Sequence, residues 1–310
     1  MRTIETGKKP LLSLSIGDKI AVSRKVYSFE ASATGGMGHV AFVTLCDEDS
    51  EGTVNSLPRR LALKTSKRDA PPILDELQKW SLMQHYAILP LEEILFSEID
   101  GLVAVSERCD GSVRDFLAAG RNVNERVAYA IVRSTAEALC QAWRDHRIVH
   151  LDIKPENLLY ATNARGQEWY SYCVSDWGIS STKTQAVDLG LMERGWSTNN
   201  NCGTLPYMSP ERFVDGWRSA PPSDIFSVGI MWLELLAGRL PYDLTAQIQP
   251  QLLSGHYFDT ARQILSKLSV KRQTKQLILN CIHPSPVKRC QDWNSVLKKL
   301  RPRFSGLKGV

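Results

Sequence analysis

The sequence predicts an α+β protein, with a strand-rich N-terminal part followed by a larger helical part. Lys19 to Glu30 and His39 to Cys46 are rich in Val, Ile, Phe and Tyr with partial alternation, and read as two strands joined by a glycine turn. Glu125 to Asp145 repeats apolar residues at helical spacing: Val127, Ile131, Leu139 and Trp143 form one ladder, Ala128, Val132, Ala136 and Cys140 widen it, and Thr135 is its polar rung. Ile225 to Gly238 is apolar all round apart from Ser227 and Glu234, the pattern of a buried helix, and is too short to span a bilayer.

Between the two helical stretches lies HLDIKPEN at 150–157, and SDWG follows at 175–178. The spacing of Asp152, Lys154, Asn157 and Asp176 suits transfer of a phosphoryl group, which depends on positioning and charge neutralisation. A lone Asp or Asn on a loop is an ordinary turn residue or cap. Here the order of motifs adds to the signal: ATGGMGHV, LALK, SERCDGS, HLDIKPEN, SDWG, GTLPYMSPER, SDIFSVG and PVKR. This order resembles the eukaryotic-like Ser/Thr protein kinase family over residues 19–304. The resemblance implies a bilobal protein kinase fold, with a small β-rich N-lobe at about 19–108 and a larger α-helical C-lobe at about 109–304. Residues 1–18 and 305–310 are expected to be flexible ends.

The N-terminal elements follow in order. In ATGGMGHV, Gly35, Gly38 and Val40 match the family's phosphate loop, Gly36 lies within it, and Ala33 stands where the first glycine is usual. Such a loop brings backbone N–H groups close to phosphates, although a plain hairpin turn has the same composition. LALK at 61–64 resembles the third strand, which implies that Ala62 lines the nucleotide site and Lys64 holds its phosphates. Pro72 is a helix-start signal, and Ile73, Leu77, Trp80 and Leu82–Met83 give the helix its apolar face. Glu76 on that helix matches the carboxylate partner of Lys64. The alternatives are an ordinary exposed Glu76, or Glu93 in its place. LVAVSERCDGS at 102–112 resembles the fifth strand and hinge: Val103 and Val105 share a face, Glu107 and Cys109 match the adenine-binding backbone positions, and Ser106 falls at the gatekeeper position. Ser112 either touches the ribose or, with Asp115, caps the next helix; the cap is favoured.

In the C-terminal part, the resemblance assigns Asp152 as the acceptor of the substrate hydroxyl proton and Lys154 as the charge partner of the migrating phosphoryl group. Asn157 and Asp176 become the Mg²⁺ ligands. His150 reads as a core histidine. Leu151 stands where the family often has an Arg that pairs with a phosphorylated loop, so activity is expected not to depend on that route. Trp177 replaces the common Phe and is expected to pack beneath the helix carrying Glu76. Residues 180–202 read as a polar activation loop, with hydroxyls at Ser180, Ser181, Thr182, Thr184, Ser197 and Thr198. Thr204 matches the residue that bridges the catalytic Asp and Lys in Ser/Thr kinases. Glu211 is expected to form a buried ion pair with Arg289, and Asp224 to anchor the catalytic loop. Helical patterns continue from 245 to 304, divided by Pro250 and the HPSP turn.

Composition is that of a soluble globular chain: 310 residues, 43% hydrophobic, 23% charged, net charge +5. The charge does not call for nucleic acid. Seven cysteines without Cys-x-x-Cys spacing argue against a disulfide framework and fit a reducing cytosol. No secretory signal is evident. The chain is expected to be cytoplasmic, or secreted into a host cytosol, with no membrane partner. The implied function is ATP- and Mg²⁺-dependent phosphorylation of protein hydroxyls, with Mn²⁺ as a substitute metal and with autophosphorylation and self-association. A pseudokinase, motivated by Ala33, Leu151 and Trp177, is the alternative. A small-molecule phosphotransferase would lack GTLPYMSPER.

Overall fold

The computed structural model describes residues 3–6, 9–34, 38–46, 59–66, 73–120, 123–162, 170–178, 181–182, 203–214 and 220–300. Gly35, Gly36, Pro72, the 305–310 tail and all of the 180–202 segment except Ser181 and Thr182 lie outside them. The chain divides into two compact units: 1–110 with 161–170, and 111–160 with 171–310.

In the first unit, seven strands among the described residues form one sheet in the order β1-β2-β3-β4-β5-β7-β6. They are β1 (Ile4–Glu5), β2 (Lys19–Val22), β3 (Lys25–Thr34), β4 (Gly38–Leu45), β5 (Arg60–Ser66), β6 (Glu93–Ser97) and β7 (Gly101–Glu107). Alternation sorts the side chains. Leu61, Leu63, Ala41, Val43, Val103 and Val105 enter the core of this unit, joined by Ile20, Val22, Tyr27, Phe29 and Leu95.

Lys19 to Glu30 is not one strand. It breaks into β2 and β3 at Ser23 and Arg24, which have φ of 48° and 72°. Positive φ at both central residues is what a tight two-residue hairpin requires. The usual Asn-Gly or Asp-Gly signal is absent, so the turn is silent in the sequence.

Residues 1–18 also depart from expectation, since the described part is not a flexible extension. β1, at one end of the row, pairs with β2, and Thr3 just before it forms a parallel bridge to Phe96 of β6, at the other end. Ile4, Leu11 and Leu14 are 5%, 1% and 9% exposed. The Leu11 N–H donates to both oxygens of Asp100, at 3.2 and 3.1 Å. A contact between the two end strands protects edges that an open sheet would expose.

Helix α1 (Leu74–Leu82) completes this unit. It buries Leu77 and Trp80, and the Trp80 indole N–H donates to the Leu89 carbonyl at 2.5 Å.

The second unit is mainly helical. Helix α2 (Val113–Ala118) opens with the expected capping box, in which Ser112 and Asp115 satisfy each other's backbone N–H groups. Helix α3 (Glu125–His146) buries Ala128, Ile131, Val132, Thr135, Ala136 and Leu139; the Thr135 hydroxyl is satisfied by the Ile131 carbonyl at 2.8 Å. Short strands β8 (Gly111–Ser112), β10 (Leu158–Thr162) and β11 (Tyr170–Val174) form one small sheet, and β9 (Ile148–Val149) pairs with β12 (Ser181–Thr182).

Helix α4 (Pro221–Ala237) starts on two prolines and ends at Gly238, whose φ of 67° suits a helix C-cap. Gly229 lets α4 pack tightly, since a Cβ there would lie 2.6 Å from Ile282 and 2.7 Å from the Cys281 Cβ. The remaining helices are α5 (Ile248–Ser254), α6 (His256–Lys267), α7 (Arg272–Cys281) and α8 (Trp293–Leu300). Pro250 does not divide helical segments as expected: it sits in the first turn of α5, where its missing N–H has no helical partner to lose. The break falls at Gly255, with φ of 74°.

Candidate active site

In the first unit, the face of the sheet opposite the core carries most of the residues read as nucleotide-binding. Cross-strand pairs set Val40 beside Lys64, Lys64 beside Ala104, and Ala62 beside Ser106. Ala33 pairs with Val40 across β3 and β4. Gly38 has a packing reason of its own, because a Cβ there would lie 2.6 Å from the Thr65 carbonyl oxygen. Lys64 Nζ donates to Glu76 Oε1 at 2.5 Å, with side chains 17% and 7% exposed. Glu76 is therefore not an ordinary surface residue, and Glu93 instead accepts from the Ser23 hydroxyl at 2.8 Å. Ser106 is buried. Glu107 ends β7 on the surface, and Cys109 is half-buried just beyond it.

In the second unit, α3 ends at Arg147, whose left-handed φ of 56° turns the chain into β9 and the following loop. That loop gathers four side chains. Asp152 Oδ1 accepts from the Thr204 N–H at 2.8 Å. Asp152 Oδ2 accepts from Lys154 Nζ at 2.7 Å and from Asn157 Nδ2 at 3.1 Å. Lys154 Nζ also donates to Thr204 Oγ1 at 2.6 Å. Both Asp152 and Lys154 keep partial solvent access, at 12% and 19% exposed.

The Asp176 loop is tied to the same place. The Ser175 N–H and hydroxyl both donate to the Asn157 carbonyl, at 2.9 and 3.0 Å. Asp176 itself has φ of 63°, a left-handed conformation that non-glycine residues adopt at a cost. Asn157 commits its amide nitrogen to the Asp152 carbonyl at 2.9 Å as well as to the Asp152 carboxylate. That orientation leaves Oδ1 as the atom not committed to Asp152. An amide oxygen and a carboxylate on adjoining loops fit Mg²⁺, which takes few protein oxygens and completes its shell with water and phosphate.

His150 supports both loops. It is fully buried; Nε2 donates to the Ser175 carbonyl at 3.0 Å, and Nδ1 accepts from the Asp152 N–H at 3.2 Å. Its ring packs on Trp177, with centroids 4.6 Å apart. Asp224 accepts from the N–H groups of His150 and Leu151 at 2.7 and 2.8 Å, fixing the loop backbone as expected.

The protein-family model described as "Protein kinase domain" matches residues 29–299. The chain belongs to the eukaryotic-like Ser/Thr protein kinase family. The kinase is 37% identical over 145 residues to mitogen-activated protein kinase kinase 1 of Arabidopsis thaliana, covering 46% of this chain and 37% of that one. It is 24% identical over 294 residues to sucrose non-fermenting protein kinase 1 of Fusarium virguliforme, covering 93% of this chain and 39% of that one. CBL-interacting serine/threonine-protein kinase 3 of Arabidopsis thaliana is 26% identical over 225 residues, covering 72% of this chain and 48% of that one. The kinase thus spans less than half the length of these relatives.

Two ion-pair centres brace the kinase's second unit. Glu211 and Arg289 form the expected ion pair, and it is bidentate, with both contacts at 2.7 Å and the Arg289 side chain fully buried. Burial opposes the Glu211 charge, but the Arg289 bonds outweigh it and hold the carboxyl below its ordinary range. The second centre was not foreseen. Arg114 donates to Glu156 and Glu234 at 2.8 Å each and to the Tyr207 hydroxyl at 2.6 Å, and Tyr207 donates to Glu234 at 2.6 Å. Burial, with the Glu234 charge beside it, pushes the Tyr207 hydroxyl well up. The one trace of this centre in the sequence is Glu234, a charge inside an apolar helix that needs a partner.

Proposed function

We propose that this kinase is catalytically active and transfers the γ-phosphate of ATP to Ser or Thr hydroxyls of proteins. The observation that carries the reading is the Asp152–Lys154–Thr204–Asn157 hydrogen-bond network. Asp152 offers a fixed carboxylate that orients an incoming hydroxyl and accepts its proton. Lys154 is steered by two acceptors, Asp152 and Thr204, towards the region where phosphate charge moves. Asn157 Oδ1 and the Asp176 carboxylate would hold Mg²⁺, which neutralises phosphate charge when bound. Lys64, oriented by Glu76, serves the nucleotide phosphates, together with Gly35, Gly36 and Gly38. Ala33, Val40 and Ala62 line the nucleotide side, and the backbones at Glu107 and Cys109 take the adenine.

The GTLPYMSPER element supports an extended peptide substrate over a small molecule. Autophosphorylation on the hydroxyl-rich 180–202 segment, through self-association, belongs to the same reading, as does a cytosolic setting.

The test is transfer of labelled phosphate from ATP with Mg²⁺ to the kinase itself and to a generic basic protein, with Asp152→Asn alongside. Transfer that falls by about 10²–10⁴-fold in the variant supports the assignment. Intact ATP binding without transfer in the parent would favour a pseudokinase.

A further inference from the structure

Leu151 connects the core histidine to the catalytic aspartate with φ of 70°. A left-handed conformation is costly for a branched side chain and persists only when its surroundings hold it. Both ends of this residue are held by charge. Its N–H donates to Asp224 Oδ1 at 2.8 Å, and its carbonyl accepts from Arg212 Nη1 at 2.6 Å. Arg212 is 5% exposed and Leu151 is 7% exposed.

Gly203 makes room for the guanidinium. A Cβ there would lie 3.1 Å from the Leu151 carbonyl oxygen and 3.3 Å from Arg212 Nη1. Arg212 therefore sits where two segments converge: the peptide entering Asp152, and the residue before Thr204. Those segments meet again at Asp152 Oδ1, which accepts from the Thr204 N–H at 2.8 Å. Burial pushes the Asp224 carboxyl up, and the Arg212 charge is among the groups that oppose this.

We propose that Arg212 is a positioning residue for phosphoryl transfer, setting the Asp152 carboxylate by clamping the Leu151 carbonyl. The inference rests on the reading of Asp152 as the proton acceptor. The Leu151–Asp152 peptide plane is held at its carbonyl by Arg212 and at its N–H by His150 Nδ1, 3.2 Å away, while Asp224 holds the preceding plane through the Leu151 N–H. Releasing the carbonyl leaves that plane on the longer His150 contact, and the carboxylate shifts with it. Lys64 and Glu76 belong to the first unit, and Arg212 to the second.

The experiment compares the full chain with Arg212→Met and Arg212→Lys, each in the parent and the Asp152→Asn background. It measures transfer kinetics, ATP affinity and thermal melting. Arg212→Met should lower kcat on the order of 10²-fold, the penalty of a misplaced catalytic group. KM for ATP should move less than kcat, because the contact removed is to the Leu151 carbonyl and not to a group assigned to the nucleotide. Arg212→Lys keeps the charge and should recover part of the rate. In the Asp152→Asn background, Arg212→Met should cost nothing further, since the group it positions is already disabled.

Unchanged kcat in Arg212→Met, or an equal loss in both backgrounds, overturns the proposal. If Arg212→Met fails to fold, the same comparison is made with Arg212→Lys. No transfer by the parent chain would sink the kinase reading itself, and this inference with it. Transfer by the parent with full kcat in the Arg212 variants sinks this inference alone.

Discussion

At the scale of single residues, the chemistry depends on small side chains as much as on charged ones. Ser106 lies opposite Ala62 on the face that also carries Lys64. Two small residues there leave space next to the proposed adenine position. ATP analogues with a bulky group on the adenine amine should therefore support transfer by the parent. Ser106→Met should abolish their use while sparing ATP. Competition between the two nucleotides measures this, and failure of the analogue in the parent would refute the open site. Leu151 carries a second expectation. With no cation at that side chain, dephosphorylated protein should keep most of its turnover. A large loss restored by autophosphorylation would show that another cation reads the loop phosphate.

At the scale of elements, the second unit depends on pairs that tie distant segments together. Glu211 and Arg289 join the segment after Thr204 to the turn before α8. Arg289→Met leaves a buried carboxylate uncompensated and should cost about 3–5 kcal/mol of stability, read from chemical denaturation. The pH dependence has a definite sign. The folded-state Glu211 carboxyl lies below its ordinary value of 4.5, so the pair stabilises the fold above that pH and the contribution fades as pH falls below it. Glu211→Gln should lower stability at neutral pH and flatten the acid limb of the stability curve; an unchanged acid limb would argue against the linkage. Packing between helices is equally specific. Gly229→Ala pushes a methyl into Cys281 and Ile282 and should cost about 1–3 kcal/mol, seen as a lower midpoint with unchanged slope.

At the scale of the whole molecule, the N-terminal segment is part of the first unit's core. Leu11 is 1% exposed within it. Leu11→Ala should cost about 2–5 kcal/mol and lower the melting temperature, whereas a flexible extension would tolerate it without effect. A melt of the 310-residue variant decides between them.

What the sequence determined by itself was whatever local spacing encodes. Helical periodicity marked α3 and α4, the motif order led to the family, and the Asp152–Asn157 spacing marked the loop proposed to be catalytic. Chemistry that needs fixed residue types at fixed intervals leaves such a trace. The tertiary structure decided what depends on contacts between distant residues: the hairpin at Ser23–Arg24, the bridge from Thr3 to Phe96 with the burial of Ile4 and Leu11, the Arg114–Glu234–Tyr207 centre, and the Arg212 clamp on Leu151. Apart from Glu234 inside its apolar helix, none of these has a local signature. A left-handed φ on Ser or Arg is imposed by the strands it joins, and an isolated Arg reads as surface until the fold brings a buried carbonyl to meet it.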